Sequence, residues 1–135
     1  MAATERERDD FITAYIACAL WSSNDESDES GGDPIDQNYG PGDLADATRE
    51  AMERECDAFL ALMSDTIDSA DVPNAARHGG RYEQAGHDFW LNRNGHGCGF
   101  WDGDWSEPHA SALDAASKAA GERNLYIGDD GRIYQ

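Results

Sequence analysis

The feature that most constrains this chain is the stretch from Ala85 to Trp105, AGHDFWLNRNGHGCGFWDGDW. At its centre stands Asn94-Gly95, the dipeptide favoured in two-residue β-hairpin turns, because both central residues of a type I′ turn need φ > 0. Residues that suit a pleated, half-buried surface lie on either side: Phe89, Trp90 and Leu91 before it, Phe100 and Trp101 after it. With a two-residue turn, Arg93 faces His96, Leu91 faces Cys98, Phe89 faces Phe100 and His87 faces Asp102. Alternation then puts Phe89, Leu91, Cys98 and Phe100 on one face, with Trp90 and Trp101 on the other. Gly97 and Gly99 leave room for these bulky neighbours. The stretch predicts an antiparallel hairpin as the fold's nucleus.

Helical patterns precede it. Thr4 and Glu7 have capping-box spacing, and Phe11, Ile12, Tyr15, Ile16, Ala19 and Leu20 recur at three- and four-residue steps, so a first helix is expected from Thr4 to about Trp21. Residues 22–43, SSNDESDESGGDPIDQNYGPGD, have no periodic apolar face and read as a long acidic loop, with Ile35 and Tyr39 as residues that could pin it to the core. A second helix is expected from Asp43 to Ser69, burying Met52, Cys56, Phe59, Met63 and Ile67. After the central hairpin, Asp104 or Ser106 would cap a third helix with Pro108 in its first turn. Leu125-Tyr126-Ile127 and Ile133-Tyr134 flank Gly-Asp-Asp-Gly, a second short hairpin. This order predicts an α+β fold, with helices packed on a three- or four-stranded antiparallel sheet, in a single domain over residues 1–135.

Composition matters here because the core must be thin. Leu, Ile, Val and Phe total only 18 residues at a net charge of −18, a balance typical of disordered chains. Four Trp, five Tyr and twenty Ala argue for folding, since aromatic anchors and small helix formers can close a modest core. There is no apolar run of membrane-spanning length, and the N-terminal MAATERERDDF lacks the apolar region of a signal peptide. Cys18, Cys56 and Cys98 have no paired spacing and suggest buried, reduced thiols in a cytoplasmic setting.

The charge is unevenly distributed. Residues 1–73 carry a net −15 and residues 74–135 a net −3, and no basic residue interrupts the ten carboxylates between Arg8 and Arg49. Such a field repels nucleic acid and membrane surfaces and attracts basic ones. Asp25, Glu26, Asp28, Glu29, Asp33 and Asp36 lie in the loop. On the second helix Asp46, Glu50, Glu53 and Asp57, at i, i+4, i+7 and i+11, form a stripe of roughly 16 Å. These ten residues are the candidate partner-binding set, and the partner they fit is the basic surface of a nucleic-acid-handling protein. Adaptation to high salt gives the same composition, with Asp exceeding Glu 18 to 10 and Lys118 the only lysine.

Catalytic signals are weaker. His87, Asp88, His96, Asp102, Asp104 and His109 concentrate within 23 residues. In the hairpin register His87 meets Asp102, while His96 sits at the turn roughly 20 Å away. A His87/Asp102 pair, with His109 nearby, supports an acid–base or metal-dependent alternative, but the spacing makes no zinc site. The loop carboxylates do not match a calcium-binding loop. The Arg93–Gly97 glycines precede a strand rather than the helix N-terminus that a phosphate site needs. No cofactor or metal is expected.

AGHDFWLNRNGHGCGFWD, LYIGDDGRIY and ALWSSNDESDESGGDPIDQNY together resemble a family of small acidic proteins encoded by phages and other mobile elements. The resemblance covers the first helix, the acidic loop and the C-terminal third. It implies a phage-type accessory protein, a context in which acidic proteins inhibit host nucleases or defence complexes, and it carries over no catalytic residues. Members of that family have Ala at the position of Cys98, which argues against thiol chemistry there.

Overall fold

A computed structural model of the chain describes residues 3–25, 32–72, 79–95, 99–100 and 105–135. Four helices dominate: α1 (Glu5–Ser22), α2 (Asp46–Ser69), α3 (Arg81–Arg93) and α4 (His109–Ala120). Two antiparallel pairs of two-residue strands accompany them, β1 (Asn24–Asp25) with β2 (Asp33–Pro34) and β3 (Tyr126–Ile127) with β4 (Ile133–Tyr134). The expected α+β arrangement is therefore overturned: the described residues form a helical assembly, and no three- or four-stranded sheet lies beneath it.

The error lies in the central hairpin. Residues 87–93, expected to supply its first strand, belong to α3, so Phe89 and Phe100 are not cross-strand partners. From Gln84 to Arg93 every residue except His87 is buried, as is Tyr82. A helix enclosed on nearly all sides carries apolar residues consecutively, and Phe89-Trp90-Leu91 then reads equally as a buried strand. The Asn-Gly pair has the conformational freedom a turn needs but uses it to stop a helix. Gly95 takes φ 67° just after the capping Asn94, the position where helices commonly end on a left-handed glycine.

Gly86 decides how α3 packs. A Cβ built there would lie 2.1 Å from the carbonyl oxygen of Phe11 on α1. Only a hydrogen at that position lets the two helices approach this closely, and α1–α3 is the most extensive helix contact in the molecule. The Trp90 indole N–H donates to Ser22 Oγ at 2.7 Å, and that hydroxyl donates to the Cys18 carbonyl at 2.8 Å, fastening the far end of the crossing. Rings supply what the aliphatic side chains lack. Phe59 and Phe89 stack at 4.1 Å, with Phe11, Tyr15, Phe100 and Trp105 packed around them.

Other local expectations hold. Thr4 and Glu7 form a reciprocal capping box at the start of α1. In α2, Met52, Cys56, Phe59 and Ile67 are buried and Met63 packs against the core. Its start moves to Asp46, because the Asp43 carboxylate is occupied in a preceding 3-10 turn, accepting from the Gly40 N–H at 2.8 Å. The second hairpin forms, pairing Tyr126 with Tyr134 and Ile127 with Ile133. Within the 22–43 segment β1 pairs with β2, Ile35 is completely buried and Tyr39 packs on the core.

Replacing Gly86 with Ala should destabilise the fold by about 1–3 kcal/mol, the usual cost of overpacking. The denaturant midpoint should fall while the m-value stays constant. An unchanged midpoint would mean that α1 and α3 do not touch backbone to side chain at this point.

Candidate functional site

Three acidic segments, separated in sequence, are brought next to one another. β1 lies against β3, and β4 lies against α2. Leu44, just before α2, bridges to Ile133, and the Ala45 N–H donates to the Ile133 carbonyl at 3.0 Å. This places Asp25, Asp33 and Asp36 of the loop, Asp46 and Glu50 of α2, and Asp129 and Asp130 of the C-terminal hairpin around the two strand pairs. Asp25 is half-buried and the other six are exposed. Asp25 and Asp33 stand directly opposite each other. Glu26, Asp28 and Glu29 lie outside the described residues.

Asp129 and Asp130 escaped sequence reasoning, which treated Gly-Asp-Asp-Gly only as a turn. Asp130 accepts from the Tyr134 hydroxyl at 2.7 Å and from the Arg132 N–H at 3.0 Å. These bonds hold its carboxyl below the ordinary carboxylate range, and the same contact raises the Tyr134 phenol. The Tyr126 and Tyr134 rings stack at 5.7 Å, with Tyr126 exposed beside the carboxylates.

The α2 stripe is less uniform than its spacing suggests. Asp46 and Glu50 are exposed and Glu53 is half-buried. Asp57 is engaged by Arg8 of α1, whose Nε and Nη2 donate to its two oxygens at 2.6 and 3.1 Å. The Arg8 pKa is raised, first by that hydrogen bond and further by the fields of Asp57, Glu53 and Asp9. Asp57 therefore acts as an internal counter-ion.

Most basic side chains among the described residues are engaged in intramolecular contacts. Of the nine among the described residues, Arg8, Arg49, Arg81, Arg93, Lys118 and Arg123 are tied to carboxylates or carbonyls. Arg81 Nη1 donates to the carbonyls of Ile67, Asp68 and Ala70 at 2.9, 2.8 and 2.9 Å, closing the C-terminus of α2. Arg93 closes the C-terminal end of α4, its Nε on the Gly121 carbonyl at 2.7 Å and its Nη2 on that of Ala120 at 2.9 Å. Its guanidinium also donates to the Tyr15 hydroxyl at 3.0 Å, lies 2.8 Å from Glu55 and sits over the Phe89 ring. Burial pushes the Tyr15 phenol and the Cys56 thiol up, with Arg93 pulling both back. Arg123 reaches the same Glu55 at 3.1 Å. Each arginine interacts with groups on other elements, and no local spacing signalled those roles.

The His87/Asp102 alternative loses its basis, because the register that paired them came from the absent hairpin. His96, Cys98, Asp102 and Asp104 lie outside the described residues. His87 Nδ1 instead lies 3.2 Å from Asp88 Oδ1, its neighbour in sequence. Asp88 is buried, and its Oδ2 accepts from Gln84 Nε2 at 2.6 Å and from the Trp105 indole N–H at 2.8 Å. His109 opens α4. Among the described residues no group of three or more His, Cys, Asp or Glu has an arrangement fit to hold a metal ion.

No protein-family model matches the chain, and neither a curated protein nor a solved structure matches it. Among the described residues no helix is long and apolar enough to cross a membrane.

The two kinds of ion pair separate by mutation. Arg93→Ala should cost about 3–5 kcal/mol, because it strands buried partners. Asp57→Asn should cost at most about 1 kcal/mol, because the Arg8–Asp57 pair is half-exposed. Denaturant midpoints for both variants check the contrast, and equal costs would contradict it.

Proposed function

We propose that this protein is an acidic interaction protein that occupies a basic, nucleic-acid-binding surface of a partner, in the manner of a phage-type inhibitor of a nuclease or defence complex. One observation carries the reading. Carboxylates from the loop, from α2 and from the C-terminal hairpin lie next to one another, while six basic side chains are engaged in intramolecular contacts. The clustered carboxylates, part of a net charge of −18, set up a field that can steer a basic partner.

The contact set combines Asp25, Glu26, Asp28, Glu29, Asp33, Asp36, Asp46, Glu50 and Glu53 with Asp129 and Asp130. Asp57, held by Arg8, is left out of it. A duplex carries one negative charge per ~1.7 Å of axis, denser than any single stripe here. Combining three segments is how this chain approaches such a density. The resemblance to small acidic phage proteins agrees in kind, and the buried thiols of Cys18 and Cys56 suit a reducing host cytoplasm.

The test is capture from host lysate with the parent and with a variant carrying Asp33→Asn, Glu50→Gln and Asp129→Asn, three exposed positions whose side chains make no hydrogen bond or ion pair among the described residues. The parent should retain a nucleic-acid-handling protein that duplex DNA displaces, and retention should fade as salt shortens the Debye length below about 10 Å. The variant should bind more weakly yet fold at least as stably, since removing like charges relieves self-repulsion. Equal binding by the variant would contradict the reading. So would the absence of any partner together with stability that climbs steeply in molar salt, the behaviour of a salt-adapted domain.

A further inference from the structure

We infer that the groove between α1 and α3 seats an arginine side chain of the basic partner, an inference that rests on the function proposed above and names the partner's anchoring group. The groove encloses about 300 Å³ and is lined by Ala14, Ala17, Cys18, Trp21, Glu83 and His87. Trp21 is 58% exposed, whereas Trp90 and Trp105 are buried. Its indole and the His87 ring are inclined by 29° with 6.4 Å between centroids, and His87 Nδ1 lies 3.2 Å from Asp88 Oδ1. The position of Trp21 is also favourable: one residue beyond it α1 ends, and the chain enters β1 at the acidic cluster.

The lining specifies the guest. A guanidinium is planar, stacks on an indole face and pairs with a carboxylate through a fork of donors. The Trp21 ring offers the face, and Glu83 on the opposite helix, whose carboxylate lies against Gly79, adds negative charge to the lining. Ala14 and Ala17 leave an apolar floor for the aliphatic stem. Glu83 and the surrounding negative charge repel an anion. A lysine ammonium is more strongly hydrated and gains less from the ring. Tryptophan pockets that accept arginine are the type of contact that dominates interface energetics.

Titration with hexa-arginine and hexa-lysine peptides at low salt, followed by amide and indole NMR signals, tests this. Hexa-arginine should move the Trp21 indole N–H and the Glu83 and His87 amides saturably. Trp21→Ala should weaken hexa-arginine about tenfold, Glu83→Gln should weaken it about threefold, and Trp21→Phe should recover most of the loss. Hexa-lysine affinity should change little with Trp21→Ala. If hexa-arginine shifts Asp33 and Asp129 but leaves Trp21 in place, the groove assignment is wrong while the acidic interface stands. Equal weakening of both peptides by Trp21→Ala would also overturn it. Failure of both peptides to bind would remove the proposed function together with its anchor.

Discussion

The structure depends on one close approach, that of the α3 backbone at Gly86 to the carbonyl of Phe11. It brings the full length of α3 against α1 and surrounds it with the other helices. A helix so enclosed must satisfy every polar group it carries, because an unpaired buried group costs about 1–3 kcal/mol. α3 meets most of this requirement by turning its polar residues into connectors, with Gln84 Oε1 left unpaired among the described residues. Asn92 donates to the Asp114 side chain of α4 at 3.0 Å and accepts from the Phe100 N–H at 3.2 Å. Arg81 and Arg93 close the ends of two other helices. Gln84, Asp88 and Trp105 form a fourth connection. With few aliphatic residues available, cohesion comes from stacked rings and from the polar side chains of α3 that reach the other elements.

The arginines that close helix ends and pair with Glu55 are fixed in place by those contacts. The acidic cluster lies at the seam where the strand pairs join the N-terminus of α2, which fixes segments some 100 residues apart in one place. An interface built there is as rigid as the Leu44–Ile133 bridge that holds it.

Legibility in the sequence followed the range of the interactions. The Thr4–Glu7 box, the α2 stripe and the C-terminal turn are decided by residues within a few positions of each other, and all three were readable. α3 was not, because its burial is set by the helices around it, and Asn-Gly signals a permitted φ without saying what the turn connects. The same limit applies to the site. Asp57 looked equivalent to Glu50 until Arg8, 49 residues earlier, claimed it. Asp129 and Asp130 gained significance only when β3 was placed against β1. His87 paired with an adjacent residue that hairpin alternation would have sent to the opposite face.

Native-state hydrogen exchange across α3 tests the central claim most directly. If α3 is the element on which the others close, the amides of Ala85 to Leu91 should exchange only through global unfolding, with opening free energies equal to the stability from denaturant titration. Exchange of those amides through a partial opening, while α1 and α2 stay protected, would contradict the account.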